Sequence, residues 1–152
     1  MTKQHLESYL SRSLKQYNDL WYLKLQVMPL AHTQTPADYI VLSKDNKYLV
    51  ECKECKNDIF SFDRLTQEHE LSVFQSKFKS NRSYLLLMFW KERLNKSSIY
   101  LIPINAYLRH KSRTKKRSIN LKECQDQFMI YKVMLTENNL LNLNDLRWIM
   151  YV

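Results

Sequence analysis

Asp38, Glu51 and Lys53 are the residues whose types and spacing suit chemistry on a phosphate ester. A hard divalent cation takes oxygen ligands, carboxylates above all. Asp38 opens one extended segment, and Glu51 stands near the end of the next, 13 residues further along. Asp45-Asn46 between them suits a tight turn, so the two segments read as a β-hairpin. Neighbouring strands lie about 5 Å apart, close enough for both carboxylates to hold one ion. Side chains alternate along a strand, so Glu51 and Lys53 face one side while Cys52 faces the core. The Cys52 backbone carbonyl offers a further ligand. A bound divalent cation would lower the pKa of a water and offset charge on a scissile phosphate. Lys53, a mobile point charge, would steady the attacking water or the developing oxyanions. The plainer reading is a Glu and a Lys on a solvated strand face.

The elements that must position these residues are legible as periodicities. Leu6, Tyr9, Leu10, Leu14 and Tyr17 recur at helical spacing, which predicts an amphipathic helix over 3–18. Trp21, Leu23, Leu25 and Val27 alternate with polar neighbours, as in a strand. Pro29 and Pro36 bracket a loop; the hairpin strands span Asp38–Leu42 and Lys47–Lys53. Phe60–Asp63 reads as a loop, with Asp63 capping a helix that runs to about Lys79. Leu71, Phe74 and Phe78 form that helix's apolar stripe. Tyr84–Trp90 is continuously apolar, as a buried central strand would be. Ile99–Ile104 predicts another strand, 105–110 a short helix, Phe128–Met134 an edge strand and Asn142–Tyr151 a closing helix. Asn120, with Glu123 three residues on, has the capping-box pattern. The order predicts one α/β domain over 1–152 with a mixed sheet.

Composition narrows the chemistry further. The chain has 152 residues and no glycine, against about 7% in an average protein. Glycine loops that cradle phosphates are therefore excluded, and with them Walker and dinucleotide fingerprints. Turns that need positive φ must use Asn, Asp or Ser, as at Asp45-Asn46 and Asn138-Asn139. The net charge of +9 points to an anionic partner, nucleic acid first. No apolar run reaches about 18 residues, so no membrane span is expected. The polar start and three cysteines without framework spacing predict a cytoplasmic protein. Cys52-Lys53-Glu54-Cys55 is a CxxC without the second ligand pair that zinc needs.

Pro36-Ala37-Asp38 followed by Glu51-Cys52-Lys53 resembles the PD-(D/E)XK nuclease signature, at a spacing similar to that of Holliday junction resolvases. Within that superfamily the chain looks most like the RecU family. Thr35-Pro36-Ala37-Asp38-Tyr39 is similar to its Thr-x-Asp-Tyr strand start, and Glu51-Cys52-Lys53 to its Glu-Ala-Lys. Phe60-Ser61-Phe62 with His69-Glu70 stands where those proteins have a Phe-containing loop and a helical His-Gln pair. Leu85–Phe89 and Arg117-Ser118-Ile119 match a later strand and motif. The resemblance implies a restriction-endonuclease-like mixed β-sheet flanked by helices. It also implies Mg2+- or Mn2+-dependent cutting of four-way DNA junctions in recombination and repair, and a homodimer. It places Glu7, on the first helix, beside the metal, puts Glu70 where the family has glutamine, and lets His69 contact a phosphate. Two features depart from the family: Met28–Ala37 is too short for its junction stalk, and its Arg-Gly segment before the first helix is missing. A catalytically inactive junction-binding protein of this fold and a nuclease on ordinary duplex DNA are the alternatives.

The densest basic tract is Arg109, Lys111, Arg113, Lys115, Lys116 and Arg117, which would track a DNA backbone. Lys77, Lys79 and Arg82 form a second cluster. Trp21 and Trp90 sit in strand patterns and read as core.

Overall fold

The computed structural model describes residues 5–26, 35–127 and 129–144. The main sheet has six strands in the order β1-β2-β3-β5-β6-β8. These are β1 (Trp21–Lys24), β2 (Tyr39–Leu42), β3 (Lys47–Cys55), β5 (Asn81–Phe89), β6 (Ser98–Pro103) and β8 (Tyr131–Lys132). β4 (Ile59–Ser61) and β7 (Ser118–Asn120) pair separately in a two-stranded ribbon. The helices are α1 (His5–Leu14), α2 (Glu68–Lys77), α3 (Ile104–Arg113) and α4 (Leu121–Asp126).

β3 and β5 form the centre of the sheet and run parallel, with Glu51 beside Leu85. All other pairings are antiparallel. β5 is buried on both faces, which is why its sequence lacks a polar alternation. Alternate residues of β3 divide between two cores. Tyr48, Val50 and Cys52 join Leu6, Leu10 and Leu14 of α1 on one face. Leu49 and Cys55 join Leu71, Tyr107, Phe60, Phe62 and Ile119 on the other. Cys52 and Cys55 thus lie on opposite faces, and all three thiols are free and buried. The sheet is sandwiched between α1 and the α2–α3 layer, a mixed α/β architecture.

Several element boundaries differ from the sequence expectation. The first helix ends at Leu14, not 18, and β1 ends at Lys24; Val27 and Pro29 lie outside the described residues. Asp63 caps no long helix: it sits in a 3-10 turn, Phe62–Arg64, and α2 begins only at Glu68 behind Gln67. The expected loop at Phe60 is a strand, because the 118–120 segment supplies its hydrogen-bonding partner. Phe78 is past the end of α2 and 63% exposed, so it leaves the apolar stripe. Trp21 is also no core residue. It and Leu23 project from edge strand β1, at 56% and 49% exposure, while Tyr22 between them packs inward. The 105–110 helix extends over Ile104–Arg113, so half of the basic tract is helical. Residues 142–144 are not helical, and the rest of the expected closing helix lies outside the described residues.

The Asn120–Glu123 capping box forms as expected, with both reciprocal bonds present. The absence of glycine has an unexpected consequence. Asn139 takes positive φ (57°), but the other such residue among those described is Glu92 (60°), a poor left-handed former. Asp45-Asn46 does not need this conformation; Ser43 closes that turn by bonding to Asn46.

Candidate functional site

β3 is nine residues long and β2 only four, so β2 stops pairing at Val50. Beyond Val50, β3 keeps β5 on one side and leaves its other edge open. A cavity of roughly 730 Å³ occupies this notch, and it gathers groups from both faces of the sheet. Asp38 ends the short side of the notch. Its N–H donates to the Val50 carbonyl (3.1 Å), and its Oδ2 accepts from the Cys52 N–H (2.8 Å). The carboxylate thus caps the strand edge that β2 vacates, and its position is set by backbone geometry.

Glu51 faces the notch at 2% exposure. Its Oε2 is buried without a hydrogen-bond partner, although the carboxyl as a whole lies within reach of Asp38. Burial, and then hydrogen bonding and repulsion from Asp38, push its pKa up to about 9. Burial and the neighbouring Asp38 thus favour the protonated form of Glu51. Lys53 Nζ stands 4.0 Å from Glu51 Oε1 on the same side of the strand, as alternation requires.

Glu7 enters the same notch from α1. It is 8% exposed, pairs with Lys24 at 3.6 Å, and has its pKa raised by burial and by the Asp38 charge. Tyr39 fixes α1 here: its hydroxyl donates to the Glu7 carbonyl (2.9 Å) and meets Ser11 Oγ (2.5 Å). Glu54, on the α1 side of β3, accepts from the Leu6 N–H and lies 3.6 Å from His5 Nδ1. The His5 ring in turn stacks on Trp90 at 4.1 Å. Trp90 is thus a wall of the notch, half-buried against the α1 core.

Lys56, Arg64 and Gln67 complete the lining from the other face. Sequence reasoning missed them, together with Glu54 and His5. Gln67 stands at the N-cap of α2, and its polar side chain just ahead of the helix is the one signal that points to it. Glu70, three residues later, is half-buried and does not line the notch. Gln67 is 8% exposed with an unpaired Oε1. His69 is exposed and also outside the notch. Lys77 ends α2, Lys79 precedes β5 and Arg82 is the second residue of β5, at the end away from Trp90, and none of them lines the notch.

The donor set suits a hard divalent cation. Two oxygen-bearing side chains adjoin, one oxygen is buried with no partner, and the pair lacks enough positive charge to stay fully ionised. Among the described residues no three of Asp, Glu, His and Cys come together as a ligand cluster. Asp38 and Glu51 would therefore hold the ion with backbone, water or phosphate oxygens, an arrangement common for Mg2+.

No family model matches the chain, and no curated protein matches it. Among solved structures, the fold is similar to that of Hjc, a Holliday junction resolvase from the archaeal hyperthermophile Archaeoglobus fulgidus. The TM-score is 0.53 at 16% identity, over 80% of this chain and 90% of that one. The fold is accordingly the restriction-endonuclease-like one, and the likeness does not single out the RecU branch. No helix among the described residues is long and apolar enough to cross a membrane.

Proposed function

We propose that this chain is a Mg2+- or Mn2+-dependent endonuclease that cuts four-way DNA junctions, acting as a homodimer so that two sites cut two strands. The observation that carries this reading is the pairing of half-buried Asp38 with buried Glu51, with Lys53 beside them, in one notch. The Hjc-like fold and the net charge of +9 support the choice of DNA. The RecU-like order of motifs is the finer support for junctions.

A divalent cation held by Asp38, Glu51 and the Cys52 carbonyl would lower the pKa of a water and offset phosphate charge. The protein's own groups supply the rest. Cys52 N–H holds Asp38 by one oxygen, and the carboxyl also reaches Glu51. Lys53 is 20% exposed, dry enough for its charge to act strongly on a phosphoryl oxygen and mobile enough to track it. Gln67 Oε1 is an acceptor for a proton of the attacking water. Lys56 and Arg64, both exposed at the rim, bind flanking phosphates. Glu7 shapes the field around Asp38 and holds α1 to the site through Lys24.

The test is cleavage of a synthetic four-way junction and a linear duplex of the same arms, in Mg2+, Mn2+ or EDTA. Wild type should nick the junction symmetrically with either metal, and Asp38→Asn and Glu51→Gln should lose more than ~100-fold. Equal cutting by all three proteins would sink the proposal. Equal cutting of junction and duplex would favour the ordinary-duplex nuclease, which the short Met28–Ala37 segment suits. Salt-sensitive binding without product would mark an inactive junction binder.

A further inference from the structure

The basic tract does not act as one surface. Lys111 Nζ is 2.8 Å from Glu68 Oε2, which ties α3 to the first turn of α2. Lys116 Nζ is 3.8 Å from Glu123 Oε1. Arg109 and Arg113 stand one turn apart on the opposite flank of α3, with no acidic partner among the described residues. They line a second, smaller cleft of roughly 350 Å³ between α3 and Gln127, Met129 and Ile130.

That cleft has a defined construction. Its floor is His110, whose side chain is 10% exposed and lies 3.1 Å from Glu123. Met129 and the buried Ile130 form an apolar wall, Gln127 adds an amide, and Ala106 leaves room above the helix. A helix C-terminus favours basic side chains by its dipole, which accounts for their sign. It does not account for two guanidiniums without an acidic partner lining one cleft that also has an apolar wall. Paired guanidiniums match the non-bridging oxygens of a phosphate, and an apolar wall suits the sugar beside it.

Packing links the walls of the two cavities. Phe62 packs edge-on against Tyr107 (5.6 Å) and His110 (6.2 Å), and its N–H donates to the Arg117 carbonyl. Arg64, two residues on, lines the catalytic notch. The geometry points to a second phosphate site: Arg109 and Arg113 clamp a backbone phosphate of bound DNA, away from the scissile one. The DNA occupant rests on the proposed nuclease function; the affinity for phosphate does not.

The experiment measures fluorescence anisotropy of labelled duplex and junction in EDTA over a salt series. It compares wild type with the Arg109→Gln/Arg113→Gln and Lys111→Gln/Lys116→Gln pairs, after matching their melting temperatures. A phosphate contact contributes about 0.9 to the slope of log affinity against log salt. The arginine pair should lower the slope by about 2 and weaken binding at least ~10-fold at 0.1 M salt. The lysine pair, already neutralised by Glu68 and Glu123, should change binding less than ~3-fold. Equal losses in the two pairs, or no loss in the arginine pair, would overturn the proposal. Inorganic phosphate is the second probe, read by NMR at the arginine Nε–H groups. Wild type that ignores DNA but shows phosphate shifts, lost in the arginine pair, would retain the cleft as a free-phosphate site and refute the DNA reading. No shift with either probe would overturn the site itself.

Discussion

Replacing Glu51 by Gln isolates the energetic cost of the site. Glu51 is 2% exposed, one of its oxygens lacks a partner, and its carboxyl pKa rises from 4.5 to about 9 through burial and Asp38. The folded state therefore holds this proton more tightly than the unfolded state. That stabilisation is complete below about pH 4.5 and is lost as pH climbs toward 9. Between pH 5 and pH 8 the wild type should forfeit up to about 1.4 kcal/mol per pH unit, a ceiling of about 4 kcal/mol. The value of about 9 already includes the attraction of Lys53 at 4.0 Å, and local relaxation offsets part of the ceiling, so about 2–4 kcal/mol is expected. Gln has the same shape and no proton to lose. Urea unfolding in EDTA at pH 5 and pH 8 should show Glu51→Gln gaining that amount on the wild type. Parallel stability curves would refute the reasoning. Mg2+ at about 100 times its Kd should add about 2.7 kcal/mol to the wild type and much less to the variant.

Lys53→Ala should lower single-turnover cleavage of the junction by about 100-fold or more while leaving anisotropy-measured binding within about twofold. Binding and cleavage falling together would instead make Lys53 a DNA contact. Ser13 is fully buried, donates to the Tyr9 carbonyl (2.6 Å) and accepts from the Leu141 N–H (2.9 Å). Ser13→Ala strands that amide, and chemical denaturation should record a loss of about 1–3 kcal/mol.

The hairpin was readable because its signals are local. Asp38, the Asp45-Asn46 turn and Glu51-Cys52-Lys53 lie within one short stretch, and side-chain alternation then dictates which groups share a face. The central strand declared itself by an apolar run that only burial on both faces permits. The misreadings share a different cause. Trp21 looks like core by alternation, but edge position is a property of strand order, which the pattern does not encode. Asp63 has a cap's chemistry, yet the pairing of Ile59–Ser61 with Ser118–Asn120, nearly 60 residues away, sets the path of the chain there and delays the helix to Glu68. Gln67, Arg64 and Glu54 line the notch at the edge of β3 that the shorter β2 leaves unpaired, a meeting set by tertiary structure. His69 and Glu70 had motif support, yet their places on α2 turn them away. The basic tract could be seen as charge, but its division into paired lysines and unpaired arginines depends on Glu68 and Glu123.

The unequal strands that open the notch also order the steps by which it is made. The β2–β3 turn is four residues long, whereas Glu51 meets Leu85, its neighbour on β5, 34 residues downstream. Hairpins close in microseconds, and non-local parallel pairing comes later because loop closure costs entropy. Asp38 and Glu51 therefore come together while still wet, when water screens their repulsion. The cost of drying them falls on the late docking of β5 and α1. In alkaline stopped-flow refolding, Glu51→Gln should speed that late step and leave the early hairpin phase unchanged. A variant refolding at the wild-type rate would show that the carboxyl is dried only after the barrier is crossed.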